Sequence, residues 1–270
     1  MTSFQPQMGE PQQPQQMGPN GANGSFGAGS YANNGYAGPV MDGQAFQVTE
    51  QMARRSVTRA YGEMTIALVI SAIVAAVTAY SGLALRLLTG WGQVAWWVAG
   101  IATLVIALVL PSGMQKRSVA ANRTLFYVFA AIMGFSMSLL LYVYSPSSVI
   151  FAFGITAAYF LCLTMVGLTT KINVLRWGPV LSIALIVLIV AEILLSFFGG
   201  SQAWMVVTAI ALVIFSGMTI HDAKSTQVMI AQCTSQEMYE KISILAAMNL
   251  YLNFINLFEN ILYLIGSNDR

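Results

Sequence analysis

Charge is what this sequence has least of. Only 8% of its residues are Asp, Glu, Lys or Arg, against about 25% in soluble domains. Hydrophobic residues make up 57% of the chain. This composition excludes an ordinary soluble domain and predicts an integral membrane protein whose first partner is the lipid bilayer. The net charge of +2 is too small to favour nucleic acid as a partner.

Histidine and cysteine are almost missing. His221 is the single histidine, which excludes a metal site built from several histidines. Cys162 lies in an apolar run and Cys233 in a polar one, so we expect two reduced structural thiols. The chain also lacks a G-x-S-x-G nucleophile motif, a Walker motif and a dinucleotide glycine motif. We therefore expect no enzymatic activity and no bound cofactor.

Residues 1–50 differ in composition from everything that follows. They are rich in Gln, Pro, Gly and Asn, and the first 50 residues contain neither Lys nor Arg. Such a segment buries too little apolar surface to offset the entropy lost on ordering. We predict a disordered cytoplasmic tail at 1–50 and a membrane domain at 51–270.

The remaining chain contains seven apolar stretches. Each is close to the roughly 20 residues that cross about 30 Å of hydrocarbon, so the predicted fold is all-α with seven transmembrane helices. In the third stretch, Gly134 and Ser138 form a small-xxx-small pair that permits close helix contact. The predicted spans are Glu63–Tyr80, Val94–Leu110, Leu125–Val143, Val149–Leu168, Val180–Phe198, Ala203–Ile220 and Ser243–Ile265.

The loops between these stretches predict the orientation. With a cytoplasmic N-terminus, the inner segments carry ten of the twelve Lys and Arg residues. Positive residues favour the cytoplasmic side, so we predict a multi-pass protein of the plasma membrane with its C-terminus outside. The inner residues are Arg54, Arg55, Arg59, Lys116, Arg117, Arg123, Lys171, Arg176, Lys224 and Lys241, and the outer ones are Arg86 and Arg270.

The last span carries a stripe of amides. Asn249, Asn253, Asn256 and Asn260 fall within roughly 60° of one helix face. Unsatisfied amides cost several kcal/mol in hydrocarbon, so this face must contact other helices or a hydrated path. Taken singly, each amide is explained as a contact between helices. Four in register favour a polar path, and Glu259 either joins the edge of that path or lies near the outer headgroups.

Three further acids lie in or near the predicted spans. Glu192 is deep inside the fifth span, where a carboxylate must be protonated, paired or hydrated, and we assign it to the polar path. Glu63 follows the arginine cluster and is interpreted as an interfacial residue at a helix start. Asp222 closes the sixth span, where the simplest interpretation is an exposed acid at the cytoplasmic edge.

Two runs near the C-terminus resemble a known family. They are SGMTIHDAKSTQVMI and, from Ala247 to Leu262, AMNLYLNFINLFENIL, with weaker matches in GFSMSLLLYVYSPSSVIFAFGITAAYF and TTKINVLRWGPVL. Together they resemble the Bax inhibitor-1-like family of membrane proteins over residues 56–266. The resemblance implies six helices around a central, polar seventh, which agrees with what the amide stripe requires.

The resemblance also implies a site. Bacterial members are regarded as pH-sensitive calcium leak channels, gated by two aspartates at the cytoplasmic ends of helices six and seven. The first aspartate corresponds to Asp222, while the second position holds Asn253, and His221 replaces the tyrosine that precedes the first aspartate. A basic residue after helix two is thought to latch the first aspartate, and Arg117 or Lys116 occupies that place.

The change from Asp to Asn has physical consequences. An Asp–Asn pair keeps oxygen ligands for calcium but loses one charge and the shared proton of two carboxylates, so calcium binding should weaken. His221 offers a second source of pH sensitivity. We expect a passive, pH-modulated leak in which calcium or another cation is the permeant ion. The alternative is a non-conducting regulator that binds another membrane protein, such as a membrane protease.

Overall fold

The computed structural model describes residues 43–91, 94–198, 200–233 and 235–267. These residues form helices and no strand, which confirms the all-α prediction. The helices are α1 (Gly43–Tyr80), α2 (Leu83–Trp91), α3 (Val94–Gly113), α4 (Val119–Met137), α5 (Leu140–Val143), α6 (Pro146–Thr169), α7 (Gly178–Phe198), α8 (Ser201–Ala231) and α9 (Gln236–Ser267), with a 3-10 turn at Val174–Trp177 before α7.

Six helical segments are long and apolar enough to cross a membrane. They correspond to all the predicted spans except the second, which falls on α3. The apolar part of α3, Gly100–Gly113, is shorter than a usual span. The six segments are Thr58–Tyr80, Val119–Val143, Pro146–Thr169, Val174–Phe198, Gln202–Ala231 and Gln236–Gly266.

Several helices extend beyond the predicted spans. In the structure α8 continues to Ala231 and α9 already begins at Gln236. The residues that flank the two apolar runs include Ala, Lys, Gln and Glu, which favour helix. Residues 43–50, predicted to belong to the tail, form the beginning of α1. The rest of the predicted tail, residues 1–42, lies outside the described residues.

The last helix is the centre of the bundle. In its span 67% of the residues are buried, against 6–33% in the other five spans. It packs mainly on α1, α4, α6 and α8, while α3 packs principally on α4 and α7 on α8. The outer helices turn their large apolar residues to the surface, as expected where lipid surrounds the bundle. The resemblance predicted this central position.

Close backbone approach joins α1 to α4. A Cβ atom added to Gly134 would lie 2.7 Å from the Cα of Ser71, so only glycine fits there. Beside this contact, the Ser71 hydroxyl donates to the carbonyl oxygen of Ala130 at 2.7 Å and lies 2.7 Å from the Tyr251 hydroxyl. These hydrogen bonds connect α1, α4 and α9. They lie in the interior of the bundle, because Tyr251 is completely buried.

The side of the membrane on which the C-terminus lies decides whether α3 crosses the membrane. If α3 and the six long segments all cross, the two ends of the chain lie on opposite sides; without α3 they lie on the same side. The excess of positive residues in the inner segments leads us to expect a reporter fused after Arg270 to be active outside the cytoplasm. Alkaline phosphatase and green fluorescent protein fusions measure this. Bright cytoplasmic fluorescence from the C-terminal fusion would contradict the seven-span arrangement.

Candidate functional site

Asp222 lies inside the helical bundle rather than at a helix end. Nine residues of α8 follow it, so the end of the helix is about 13 Å away along its axis. Its side chain is only 12% exposed. The interpretation of Asp222 as an exposed acid at a helix end is therefore wrong, while its position at the cytoplasmic edge stays a prediction. A carboxylate in this position, within a membrane-spanning segment, needs partners.

Two donors hold the Asp222 carboxylate. The side-chain amide of Asn253 donates to Oδ2 at 2.8 Å, and Nδ1 of His221 lies 2.9 Å from Oδ1. Because an ionised carboxylate only accepts hydrogen bonds, His221 carries a proton on Nδ1 when Asp222 is ionised. The structure thus brings together the three residues that the resemblance placed at the site. We call His221, Asp222 and Asn253 the Asp222 site.

Close packing fixes the position of these side chains. Asn253 comes from α9, which packs closely against α8 and is only 3% exposed at this residue. A Cβ atom on Gly178, the first residue of α7, would lie 2.9 Å from Nε2 of His221. Glycine therefore leaves the room that the imidazole occupies. The ring of His221 is held between Asp222 and the beginning of α7.

The predicted latch is not formed in this structure. The Arg117 guanidinium donates to the carbonyl oxygens of Val109 and Leu110 at 2.7 and 2.8 Å, in the last turn of α3. Both carbonyls lie near the C-terminal end of α3, where the helix dipole favours a cation. Lys116 is exposed. Within the described part of the chain, Asp222 has no ion pair with either residue.

Two of the four stripe amides form hydrogen bonds within their own helix. The amide of Asn256 donates to the carbonyl oxygen of Leu252, and that of Asn260 donates to the carbonyl oxygen of Asn256, both at 2.7 Å. Among the described residues, Asn253 is the one stripe amide with a hydrogen bond to another helix. Asn249, Asn256 and Asn260 are half-buried, so their remaining polar atoms stay accessible along this face. The stripe does not act as a set of contacts between helices.

The two acids assigned to the polar path lie on different helices. Glu259 is exposed on α9, and Glu192 is half-buried on α7. Within the described residues, no group of three or more His, Cys, Asp or Glu is placed to hold a metal ion. At the Asp222 site itself, Asn253 presents its NH₂ group to the carboxylate rather than its oxygen. In this conformation the pair does not offer calcium an oxygen from each of the two residues.

A partly buried ion pair between α1 and α4 was missed by sequence reasoning. Oε1 of Glu63 accepts from Nε of Arg123 at 2.8 Å, and Oε2 accepts from the hydroxyl of Tyr127 at 2.6 Å. The Glu63 side chain is 8% exposed and lies well inside α1, so its interpretation as a helix-start residue is wrong. Its partners are 60 and 64 residues away, a separation that no local pattern reveals.

One ion pair and one hydrogen bond join the beginning of α9 to the rest of the bundle. Arg59 of α1 donates to Glu240 at 3.0 Å. Lys241 pairs with Glu237 at 2.8 Å and donates to the carbonyl oxygen of Gln115 at 2.9 Å, between α3 and α4. The Glu237–Lys241 spacing of four was readable in the sequence. The Arg59–Glu240 pair links α9 to α1, and the Lys241–Gln115 hydrogen bond links it to the segment between α3 and α4.

The two cysteines are free and far apart in sequence. The Cys233 thiol lies within 3.5 Å of the Met229 carbonyl oxygen, and burial raises its pKa. A raised pKa lowers the thiolate fraction at neutral pH, and the thiolate is the reactive form. Cys233 is therefore suited to a structural place after α8 rather than to thiol chemistry.

Comparison with known proteins agrees with this architecture. Residues 53–270 match the family described as inhibitor of apoptosis-promoting Bax1. The chain is 34% identical over 210 residues to the inner membrane protein YbhL of Escherichia coli strain K12, covering 77% of this chain and 89% of that protein. An uncharacterized protein of Deinococcus radiodurans is 31% identical over 224 residues, covering 83% and 95%. An uncharacterized membrane protein of Streptococcus pyogenes serotype M3 is 30% identical over 171 residues, covering 63% and 74%.

Proposed function

The chain belongs to the Bax inhibitor-1 family of membrane proteins, and from that membership we propose that it mediates a passive, pH-modulated leak of cations. Calcium is the proposed permeant ion, the path runs along the accessible amides of α9, and the protein has no enzymatic activity. The observation that carries the proposal is the Asp222 carboxylate, held by His221 and Asn253 inside a membrane-spanning bundle.

The Asp222 site has the arrangement of a closed gate. Both carboxylate oxygens are occupied by donors, and the bond to Asn253 ties α8 to α9. A hydrogen bond to an ionised group contributes about 1.5–3 kcal/mol, more than a neutral one. A cation that enters between α8 and α9 must replace these donors. Opening therefore requires the carboxylate to be released.

Protonation is the proposed release step. A proton on the Asp222 carboxylate removes the negative charge that both donors face, so both hydrogen bonds weaken. A proton on His221 has the opposite effect, since an imidazolium pairs more strongly with the carboxylate. We propose that the carboxylate governs the gate, so that the leak increases as the pH falls.

Flux against pH tests the proposal. In liposomes carrying the purified protein and a calcium indicator, we expect calcium entry to rise on acidification. Asp222→Asn keeps the shape of the side chain but not its charge, so the flux at neutral pH should rise roughly tenfold and its acid dependence should disappear. Glu237→Gln is the matched control, because Glu237 is exposed at the beginning of α9. Identical curves for wild type and Asp222→Asn would contradict this gate.

A second function is a non-conducting regulator that binds another membrane protein, such as a membrane protease. Two observations favour it. Asn253 turns its NH₂ group towards Asp222, which leaves calcium a single carboxylate. In addition, only 6% of the α7 span is buried, so this helix offers an apolar face to a neighbour in the membrane. Calcium flux no greater than that of protein-free liposomes at every pH would favour the regulator.

A further inference from the structure

An apolar cavity of about 260 Å³ lies between α1, α4, α6 and α9. Its inner wall is formed by Phe254, Ile255 and Phe258 of α9, whose side chains are otherwise buried. Ala72 of α1 and Ile150 of α6 also line it. The cavity is distinct from the Asp222 site, since neither His221, Asp222 nor Asn253 lines it.

The lining leaves no place for ordered water. Ser71 is the polar residue of the inner lining, and its hydroxyl is engaged by the Ala130 carbonyl oxygen and the Tyr251 hydroxyl. A buried water needs two to four polar partners, and an engineered apolar cavity of about 150 Å³ in another protein stays dry and binds apolar molecules. The present cavity is larger, so an apolar occupant suits it best.

The cavity opens towards lipid. Tyr80 and Ile150 line its outer part and are 85% and 73% exposed, on helices that span the membrane. Tyr80 ends α1 and Pro146, another lining residue, begins α6, so the opening lies near one membrane surface. The surroundings of this opening are the hydrocarbon chains of one leaflet.

We propose that the cavity binds one acyl chain of a phospholipid from the leaflet at which α1 ends and α6 begins. The chain enters between α1 and α6 and packs against Phe254, Ile255 and Phe258. Flexible and apolar, it matches both the lining and the opening, and the bilayer supplies it at high concentration. A small polar ligand finds no free hydrogen-bonding group in the inner lining.

A photoactivatable phospholipid tests the proposal. The full-length protein is placed in liposomes that contain a phosphatidylethanolamine with a diazirine in one acyl chain, and adducts are mapped by peptide mass spectrometry after illumination. We expect adducts on the α9 segment 254–258, where Phe254, Ile255 and Phe258 are 3–6% exposed and out of reach of bulk lipid. Labelling of α7 serves as the internal reference, because only 6% of its span is buried.

Filling the cavity distinguishes it from the general lipid surface. Ala72→Phe places a ring where the chain would lie, so labelling of α9 relative to α7 should fall roughly tenfold. Ala158→Phe is the matched control, because Ala158 is exposed on α6 and does not line the cavity. It should leave the ratio unchanged. If Ala72→Phe fails to fold, Ala76→Leu, at another lining position, makes the same test.

Three results would overturn the proposal. The first is wild-type protein without adducts on α9. The second is α9 labelling that persists in a folded filling variant at the wild-type ratio. The third comes from a parallel arm with a free photoactivatable fatty acid: if that probe labels α9 and the phospholipid does not, the occupant is a fatty acid rather than a phospholipid chain.

Discussion

Replacing Asn253 with aspartate is expected to move the acid activation of the leak to higher pH and to strengthen calcium binding. Nδ2 of Asn253 lies 2.8 Å from Oδ2 of Asp222. An oxygen in its place brings two carboxylates into contact, and they cannot both stay ionised unless a proton or a cation lies between them. Since protonation is the proposed release step, the pH at half-maximal flux should rise by on the order of one pH unit.

The same change should strengthen calcium binding. Calcium prefers several oxygen ligands with negative charge, and Asn253→Asp adds one carboxylate directly opposite another. Flux measured against pH, with calcium binding at neutral pH beside it, checks both effects. Asn256→Asp is the control: it adds the same charge to α9 at a residue whose amide bonds to its own helix. Equal shifts in the two variants would mean that added charge, not the pairing with Asp222, causes the effect.

The largest loss of stability is expected from Gly134→Ala. The new methyl group would lie 2.7 Å from the Cα of Ser71, and backbone atoms cannot rotate out of its way. The two helices must separate, which also strains the hydrogen bonds between Ser71, Ala130 and Tyr251. Overpacking of this kind costs about 1–3 kcal/mol, which lowers the melting temperature by roughly 2–10 °C.

Gly154→Ala separates packing from intrinsic helix preference. Gly154 also lies inside a membrane-spanning helix, α6, but a Cβ atom there meets no other atom within 4 Å. Alanine favours helix over glycine by up to about 1 kcal/mol, so this control should be neutral or slightly stabilising. Thermal unfolding of both purified variants in detergent makes the comparison. Equal melting temperatures would show that α1 and α4 do not depend on the glycine contact.

The central position of α9 was predictable because its composition constrains it. A long apolar helix with four amides on one face cannot expose that face to lipid, so it has to pack inside the bundle. The burial of the Asp222 side chain inside the bundle was not predictable in the same way. A hydropathy profile ends a predicted span where polar residues begin. The partners that allow α8 to continue, such as Asn253 on α9, come from a distant part of the chain. The family resemblance, confirmed by the match over residues 53–270, supplied the pairing that periodicity could not.

Local acceptors explain why Arg117 does not pair with Asp222 in this structure. Arg117 was expected at Asp222, but its guanidinium binds the carbonyl oxygens of Val109 and Leu110, only eight and seven residues away. The amides of Asn256 and Asn260 likewise bond one turn back along α9 instead of reaching a neighbour. A donor with a satisfactory acceptor in its own segment needs no distant one. Sequence patterns identify which residues need partners but not which of the available partners each residue binds.

The hydrogen bonds of Asn256 and Asn260 bear on how the protein is made. Of the six spans, α9 is the least hydrophobic, and it emerges last from the ribosome. Two of its amides are satisfied as soon as the helix itself forms, so their desolvation during insertion does not wait for other helices. Asn253 alone of the stripe uses a partner on another helix, and that helix is α8, the segment synthesised immediately before it. The α8–α9 pair is thereby suited to enter the bilayer as one hairpin, with its polar contact already made.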